Sequence, residues 1–471
     1  MRIVFVNVMQ ELQRFDSTAY LTQPPVPLAL LDAVTPLDIE TSLLDEQTDR
    51  LVFDGDVFAF SVSTQNARAV YEHADVLRAR GKKVILGGIH VTVCPEEAME
   101  HADAVVTGEA ELIWPEVCRD LQAGALRARY DGSPTPPSEM APVDYRFFGD
   151  RRYLTPASLF ATRGCTRRCT FCVSSRIMGP YRSKPLDVLE QEIDQLTELY
   201  PSSFLQFTDD NLLSNRRYRA ELLALLRRKG RRFVTMVTVD QLCDAALMDE
   251  MARSGCIGVA VGIESYDEDN CAAVSKYQNL DQPLSEAVRH LRELGIQVGA
   301  LLMVGLPHDT PERLLATVPR LLEMGCSYYD LRVLRVYPST PQYRELLARG
   351  EVTERWWLRS DPARSCNDLL PSCLSMDFVH PSFSPMELQH MALRLTVELN
   401  APSIGAASRI LRVGRRGRAL RFAALLLSAR ARSTRQARTQ MRQVEVAMGV
   451  GRGAGLTSPP AHTPRLGVER A

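Results

Sequence analysis

Up to residue 337 the chain alternates short apolar runs with longer amphipathic stretches, and this alternation restricts the fold more than any other feature. Several runs are apolar almost throughout, which is typical of parallel strands covered on both faces. In the first part of the chain the runs occupy residues 2–8, 38–45, 57–64, 82–88 and 104–108. Helical stretches such as 67–80 separate them. The pattern predicts an α/β protein that begins with a doubly wound parallel sheet over residues 1–130.

A stretch rich in Pro and Ser, residues 131–150, predicts a linker to a second domain. Beyond it the apolar runs resume at 158–162, 204–208, 233–239, 257–263, 298–304 and 331–337. Six strand–helix units predict a (β/α)₆ partial TIM barrel over residues 151–345. We expect a mainly helical C-terminal region over residues 346–448 and a disordered tail over 449–471, where Gly, Pro and Ala dominate.

Composition narrows the class of protein further. Hydrophobic residues make up 45% and charged residues 24% of the 471 residues, the balance of a globular protein. No apolar stretch reaches the roughly 20 residues that a membrane span needs, so we expect a cytoplasmic protein without a span. The formal net charge of −1 gives no overall attraction to nucleic acid. Eleven cysteines in a chain of this length favour a reducing compartment over a disulfide framework.

Three of those cysteines form a CxxxCxxC array, Cys165, Cys169 and Cys172, directly after the first strand of the predicted barrel. Loops at the carboxyl ends of barrel strands are where such enzymes keep their chemistry. Cys thiolates are the usual ligands of iron–sulfur clusters, and three of them would leave one iron of a cube for another ligand. A zinc site needs four ligands, and a redox pair needs only the CxxC of Cys169 and Cys172. Neither alternative fits the array as well.

The array resembles the signature of the radical S-adenosylmethionine (SAM) superfamily, CxxxCx(aromatic)C, with Phe171 at the aromatic position. The resemblance implies a [4Fe–4S] cluster whose open iron chelates SAM and cleaves it to a 5′-deoxyadenosyl radical. It also implies an electron donor such as flavodoxin or ferredoxin. Other segments at the predicted strand ends fit the SAM site of this family, where an acidic residue binds the ribose and a Gly-Pro turn lies beside the adenine. They contain Asp209, Asp210, Gly262, Glu264, Ser265, Gly305 and Pro307.

The loops that follow the N-terminal strands resemble the cobalamin-binding domain of the cobalamin-dependent subfamily. The matching segments are GGxHxT at 87–92, PEEA at 95–98 and GEAE at 108–111. We expect cobalamin contacts from Ser61, Ser63, Gly87, Gly88, His90, Gly108, Glu109 and Glu111. The DxHxxG motif that supplies a histidine to cobalt in other cobalamin proteins is absent. His90 is therefore expected to hydrogen-bond the corrin periphery or the backbone instead of the metal.

Together the resemblances imply a methyltransferase that uses SAM and cobalamin to methylate an unactivated carbon. The substrate is expected to be a small molecule or its carrier-bound precursor, in secondary metabolism such as antibiotic biosynthesis. A cyclase or oxidoreductase with the same cofactors is the first alternative. The alternative of another class is a non-catalytic Fe–S protein that binds cobalamin or RNA.

The sequence leaves open the roles of two later segments. Trp356 and Trp357 either cap a substrate or pack against the last helices. Residues 409–442 are strongly basic, and no acidic residue lies between 399 and 445. Such a block can bind nucleic acid or acidic lipid. Because aromatic residues for base stacking are nearly absent apart from Phe422, a solvated helical surface is the favoured interpretation.

Overall fold

The computed structural model describes residues 1–9, 22–358 and 377–448. Its N-terminal part is a six-stranded sheet of order β2-β1-β3-β4-β5-β6, in which all the paired strands are parallel. The strands are β1 Arg2–Asn7, β2 Glu40–Asp45, β3 Val57–Ser61, β4 Lys83–Gly87, β5 Ala104–Thr107 and β6 Arg129–Asp131. The helices are α1 Val26–Ala33, α2 Ala67–Ala79, α3 Ile89–Val93, α4 Pro95–Glu100 and α5 Trp114–Gln122.

Burial explains why these runs form the inner strands of a doubly wound sheet. Ile3 and Phe5 of β1 and Phe58 of β3 are completely buried, as expected where helices cover both faces. The strand order reverses between β1 and β3, which is the switch point where such sheets bind ligands beyond their carboxyl ends. Strand β6 was not predicted, because only Tyr130 of its three residues is buried and the segment carries no apolar run.

The second part is a six-stranded parallel sheet of order β14-β13-β12-β11-β10-β7, with a separate two-stranded antiparallel pair, β8 and β9. The predicted partial barrel is confirmed as a fold class. Its strands are β7 Ser158–Leu159, β8 Thr162–Arg163, β9 Arg182–Ser183, β10 Leu205–Phe207, β11 Phe233–Val237, β12 Cys256–Glu264, β13 Gln297–Val304 and β14 Tyr328–Val333. The β8–β9 pair closes the loop that carries the three cysteines.

Helices connect the barrel strands, and capping residues mark the helix ends. They are α6 Ser174–Ile177, α7 Leu186–Leu199, α8 Arg216–Lys229, α9 Val239–Leu242, α10 Ala245–Arg253, α11 Glu268–Ala273, α12 Leu284–Leu294, α13 Pro311–Met324 and α14 Pro341–Ala348. In α8, for example, the Asn215 side chain accepts a hydrogen bond from the Tyr218 amide, and Gly230 ends the helix in the left-handed conformation.

The C-terminal region is helical, with α15 Pro385–Asn400, α16 Ile404–Arg416 and α17 Leu420–Ala447. Trp356 and Trp357 are buried, and their indole N–H groups donate to the Val336 carbonyl and to Glu97. These contacts support packing as the role of the two tryptophans. The predicted tail, 449–471, and the residues between 359 and 376 lie outside the described part of the chain. Within the described ranges no helix is both long enough and apolar enough to cross a membrane.

Candidate functional site

A cavity of about 540 Å³ lies where the carboxyl ends of the two sheets face each other. From the N-terminal sheet it is lined by the ends of β3, β4 and β5 and by apolar residues of α1. From the barrel it is lined by Ser158, Phe160 and strand β8, by the segment after the cysteine array, and by residues 208–210. Its volume is in the range of small-molecule and cofactor sites. Of the residues that the sequence predicts to contact a cofactor, eight line this cavity: Ser61, Gly87, Gly88, Gly108, Glu109, Glu111, Asp209 and Asp210.

The glycines at the strand ends are required for different reasons. Gly88 and Gly108 have φ values of 103° and 68°, which favour glycine. A Cβ on Gly88 would meet the Val62 backbone at 2.8 Å, and one on Gly108 would meet the Gly132 oxygen at 2.3 Å. Both are therefore explained by backbone crowding. A Cβ on Gly87 would make only ordinary contact with Val106, at 3.5 Å and beyond, so Gly87 leaves open space on the cavity wall.

His90 takes part in a buried hydrogen-bond network next to the cavity wall. The side chain is completely buried, and its Nε2 lies 2.9 Å from Glu97 Oε1 while its Nδ1 lies 3.2 Å from Thr64 Oγ1. The same Glu97 oxygen accepts hydrogen bonds from the Tyr71 hydroxyl and the Trp357 indole. Both ring nitrogens are therefore engaged by protein side chains, and His90 is not among the residues that line the cavity. No histidine lines the described cavity.

Burial opposes ionisation of Glu97, but the hydrogen bonds from His90, Trp357 and Tyr71 hold the pKa of this carboxyl below its ordinary value. The Glu97 carboxylate and the His90 ring are both buried and lie 2.9 Å apart. The network joins the N-terminal sheet to the segment after the barrel. Ser63 is not among the residues that line the cavity: its N–H donates to Asn66 Oδ1, and its hydroxyl has no hydrogen-bond partner within the described residues.

Glu109 and Glu111 form ion pairs with two arginines of the barrel. Arg163 reaches Glu109 and Glu111 through separate guanidinium nitrogens, each at 2.6 Å. Arg182 donates hydrogen bonds to both carboxylate oxygens of Glu109, at 2.6 and 3.0 Å, and to the Thr135 carbonyl at 2.9 Å. The four side chains are 7–14% exposed. The GEAE segment therefore fastens the N-terminal sheet to the β8–β9 pair as well as lining the cavity.

Glu109→Ala should destabilise the protein strongly, because it leaves Arg163 and Arg182 short of a buried counter-charge. Removing one partner of a buried ion pair typically costs about 3–5 kcal/mol of unfolding free energy. Burial opposes ionisation, but Arg182, Arg163 and the Thr135 amide hold the pKa of Glu109 below its ordinary value. Its stabilising contribution should therefore be complete above the ordinary carboxyl pKa and decrease as the pH falls below it. Denaturant unfolding measured at neutral and acidic pH tests both points.

Arg127→Ala is the matched control, because its pairs with Glu116 and Asp120 are half exposed and should contribute less than about 1 kcal/mol. Equal losses of stability in Glu109→Ala and Arg127→Ala would contradict this account of the interface.

The cysteine array lies in the loop between β8 and β9. Cys169 is buried, whereas Cys165 and Cys172 are half-buried. Burial raises the pKa of the Cys169 thiol, and the nearby Lys276 ammonium opposes this effect. Cys165 Sγ accepts hydrogen bonds from the Arg167 amide at 3.4 Å and from Asn211 Nδ2 at 3.7 Å. Such donors stabilise a sulfur that carries negative charge.

Phe171, at the aromatic position of the array, packs half-buried against the hydrophobic core. In the described part of the chain, no three His, Cys, Asp or Glu side chains are grouped so that they could hold one metal ion.

Asp209 and Asp210 differ in their surroundings although both line the cavity. The Asp209 carboxylate accepts hydrogen bonds from the Ala161 and Thr162 amides at 2.5–3.2 Å and from the Thr162 hydroxyl at 2.6 Å. Burial raises its pKa to about 7 in spite of these donors. Asp209 therefore shapes the backbone between the first barrel strand and the cysteine loop. Asp210 is exposed on the cavity side.

Glu264 ends the long strand β12 with a φ of 60°, an unusual value for a residue other than glycine. Its carboxylate pairs with Lys276, whose side chain is 8% exposed. A Cβ on Gly262 would meet both Glu264 Oε1 and Lys276 Nζ at 2.7 Å, so this glycine makes room for the pair. The Ser265 hydroxyl accepts a hydrogen bond from the Asp267 amide and shapes the following turn. Lys276 was not predicted, because a lone lysine in a loop carries no signal in the sequence.

The buried Asp309 side chain fixes the turn at Gly305 and Pro307. The Asp309 carboxylate accepts hydrogen bonds from the Gly305 and Leu306 amides at 2.8 and 2.9 Å. A Cβ on Gly305 would meet Leu388 of α15 at 2.8 Å, and its φ of 87° also favours glycine. Packing against the C-terminal helix therefore explains Gly305 without a ligand. Pro307 is exposed.

The residues present fit the cofactors implied by the sequence. Three cysteines, two of them half-buried, share one loop with N–H donors directed at one sulfur and a lysine close to another. The cavity has largely apolar walls, formed by residues such as Val26, Leu28 and Ile85, and the open position at Gly87 suits a broad ligand with an apolar face. Residues on both sides of the cysteine array line this cavity: Thr162 and Arg163 before it, and Ser174, Ile177 and Met178 after it.

Comparisons with known proteins agree with this arrangement. The radical SAM superfamily matches residues 159–321, and the B12 binding domain matches residues 32–117. The chain is 28% identical over 349 residues to bacteriochlorophyllide d C-8(2)-methyltransferase from Chlorobaculum tepidum, covering 70% of this chain and 77% of that protein. It is 27% identical over 337 residues to the C-12(1)-methyltransferase of the same organism, covering 69% and 74%.

Among solved structures, the chain is similar to the radical SAM methyltransferase TsrM from Kitasatospora setae, solved with cobalamin and a [4Fe–4S] cluster bound. The TM-score is 0.62 at 17% identity, and the match covers 95% of this chain and 99% of that one. The likeness in fold therefore covers both sheets and the C-terminal helices.

Proposed function

The chain belongs to the radical SAM enzymes that carry a B12-binding domain, and from this premise we propose that it methylates an unactivated carbon of a small molecule. The observation that carries the proposal is the cavity between the two sheets, which the segment after the cysteine array and the cobalamin-type loops line together. The match to two C-methyltransferases over about 70% of the chain supports the same reaction. When bound, the cluster supplies the electron that cleaves SAM, and cobalamin supplies the methyl carrier.

We assign the cluster to Cys165, Cys169 and Cys172. Burial raises the pKa of the Cys169 and Cys172 thiols, so the positive charge of the irons would be needed to hold these two as thiolates. Lys276 and the amide groups directed at Cys165 add to that stabilisation. Asp209 fixes the backbone that leads into the loop, and Phe171 anchors the loop on the core.

The SAM site is proposed to lie beside this loop, around the Glu264–Lys276 pair. A carboxylate accepts two charge-assisted hydrogen bonds from the vicinal hydroxyls of a ribose. Lys276, close to both Glu264 and Cys169, is suited to the carboxylate of the methionine part. Asp210 and Ser265 complete the polar wall of the proposed site, while Gly305 and Pro307 shape it from further away.

Cobalamin is proposed to occupy the 540 Å³ cavity with one face toward the barrel. On the cavity wall, the proposed contacts are Ser61 and Gly87 at strand ends and Thr92 in α3. Glu109 and Glu111 act through the position of the GEAE loop. Because no histidine lines the described wall, we propose that the protein gives cobalt no imidazole ligand from this side.

The products formed from SAM test the proposal without knowledge of the substrate. The full chain is reconstituted with iron, sulfide and hydroxocobalamin, reduced, and incubated with SAM carrying a labelled methyl group. A methyltransferase should form S-adenosylhomocysteine and move the label to the cobalamin fraction, and it should also release 5′-deoxyadenosine. Chromatography of the three fractions measures this.

The alternatives give different outcomes in the same assay. A cyclase or oxidoreductase would form 5′-deoxyadenosine while the cobalamin stays unlabelled, which would overturn methyl transfer. A non-catalytic Fe–S protein that binds cobalamin or RNA would leave SAM intact.

The cellular setting is proposed on chemical grounds. The cysteines in the described ranges are free thiols, and a cluster of this kind needs reduction, so we place the protein in the cytoplasm with a flavodoxin or ferredoxin as electron donor. We propose a secondary metabolite, free or carrier-bound, as the substrate class and antibiotic biosynthesis as its setting.

A further inference from the structure

A second cavity, of about 700 Å³, opens at the opposite end of the barrel from the cysteine loop. Its walls are the loop before β10, the loop before β11, the second residue of β12 and the turn between α16 and α17. The lining residues are Pro201, Ser202, Ser203, Phe204, Gly230, Arg231, Arg232, Ile257, Arg415, Arg418, Ala419, Leu420, Arg421 and Phe422. Five of them are arginines and none is acidic, so the cavity has a strongly positive wall.

Among the described residues, only Arg231 of these five arginines has side-chain hydrogen-bond partners. The buried Arg231 donates to the carbonyls of Tyr200, Pro201 and Ser203, at 2.7–3.3 Å, and thereby fixes one wall. The other four are Arg232, Arg415, Arg418 and Arg421. All four are exposed, and within the described residues none of them has a carboxylate at ion-pair distance. Like charges gathered in this way repel one another, so the cluster does not stabilise the empty protein.

The turn that carries the arginines is held rigidly. Arg418 has a φ of 51°, which is unfavourable for a side chain of this kind. The neighbouring Gly417 packs so closely on Gly295 that a Cβ would meet the Gly295 oxygen at 2.2 Å. The Ala419 amide closes the turn on the Gly414 carbonyl at 2.7 Å. A strained conformation held by its surroundings is a recurring property of binding sites.

Helix α17 starts on this cavity and adds to its positive potential. Its N-cap, Ala419, offers no side-chain hydrogen bond, and its first turn contains no acidic residue. Arg418 and Arg421 therefore lie beside the positive end of a helix of 28 residues, where cations are unfavourable and anions are favourable. Phe422 forms an apolar wall, stacked edge-on against Phe204 at 5.2 Å.

We propose that this cavity binds a phosphoryl-bearing anion, distinct from the ligands of the cavity between the sheets. Guanidinium groups pair with phosphate oxygens in a bidentate geometry, and several of them around one cavity match a ligand with more than one negative charge. Phe422 and Leu420 are apolar lining residues that can contact an apolar part of such a ligand. The phosphoryl group could belong to a free metabolite or to a lipid headgroup, since both carry the same chemistry.

Calorimetric titration of the full, cofactor-loaded protein with inorganic pyrophosphate tests the proposal. Saturable binding is expected, and the double variant Arg415→Gln/Arg421→Gln should weaken it by at least about tenfold. Arg416→Gln is the matched control, because Arg416 is an exposed neighbour that does not line the cavity. It should bind pyrophosphate as the unchanged protein does. Equal weakening in the control would show unspecific attraction and overturn the site.

Arg418→Gly separates ligand binding from folding. Glycine adopts a positive φ without strain, so this variant should melt no lower than the unchanged protein while it binds pyrophosphate more weakly. Unaltered binding in Arg418→Gly would contradict the proposal that the turn holds this guanidinium for a ligand.

Sedimentation with vesicles distinguishes the two sources of the phosphoryl group. Phosphatidylglycerol vesicles that carry the protein down, when phosphatidylcholine vesicles do not, identify a lipid headgroup, provided that Arg415→Gln/Arg421→Gln abolishes the effect. Pyrophosphate binding without vesicle binding identifies a free metabolite. Failure of both, or tighter binding of single-stranded RNA through the same arginines, would overturn the proposal. None of these outcomes depends on methyl transfer.

Discussion

Cys169→Ala is expected to lose almost all of the iron that the unchanged protein retains after reconstitution, together with its visible absorbance and 5′-deoxyadenosine formation. Cys169 is the most buried of the three array cysteines and lies close to Lys276, so its sulfur is central to the proposed cluster. A cube held by only two thiolates would be left open at two irons. Iron content, absorbance and product formation measure the effect, and Cys165→Ala and Cys172→Ala should behave alike.

Cys326→Ala makes the same chemical change at a thiol that is completely enclosed just before strand β14, at the amino ends of the barrel strands. It should keep its iron and its absorbance. Full iron content in any of the three array variants would refute the cluster assignment, and loss of iron in Cys326→Ala would show that the measurement reports general unfolding instead.

The fold could be predicted from the sequence because its main signals are local. Continuous apolar runs fix the inner strands of both sheets, since a parallel strand covered on both faces needs no polar alternation. The failures occur where the strands are short or shifted. Strand β6 and the β8–β9 pair have only two or three residues each, and they form because long-range contacts at the domain junction hold them. Strand β14 begins at Tyr328, three residues before the predicted run at 331, and ends at Val333.

The candidate site was predicted less completely, because a motif identifies a loop and not the partners of its side chains. The array follows the first barrel strand, and the loops after β3, β4 and β5 line the cavity. His90 looked available for a ligand, yet Thr64 and Glu97 occupy both of its nitrogens. Glu109 looked like a cofactor contact, yet two arginines of the other domain surround it. Such pairings arise between segments far apart in the chain, and no local pattern encodes them.

Lys276 illustrates the opposite failure, a residue with a role in the site but without a signal in the sequence. Its ammonium group meets Glu264 across the space that Gly262 leaves. Gly262 belongs to a sequence motif, but its physical reason, room for an ion pair, is visible only in the three-dimensional structure. A search for charged residues within one helical turn of the end of β12 would still have missed it, because α11 lies between them in the chain.

Gly87→Phe is expected to lower the cobalamin content of the protein by at least about tenfold while the iron content stays unchanged. Gly87 ends strand β4 on the wall of the cavity, and a Cβ there meets only Val106 at ordinary contact distance. The larger ring would therefore fill the space that the ligand needs without forcing the backbone apart. Absorbance after reconstitution with hydroxocobalamin and desalting measures cobalamin per chain, and iron analysis of the same sample measures the cluster.

Gly87→Ala provides the graded control, because its single methyl group fits and should leave cobalamin binding near that of the unchanged protein. Gly88→Ala should behave differently again: with a φ of 103° and the Val62 backbone 2.8 Å from the new Cβ, it should lower the unfolding free energy as well as cobalamin binding. A Gly87→Phe protein that still binds cobalamin fully would place the cofactor elsewhere. Loss of iron along with cobalamin would mean that the ring disturbs the domain junction and that the two sites fold as one unit.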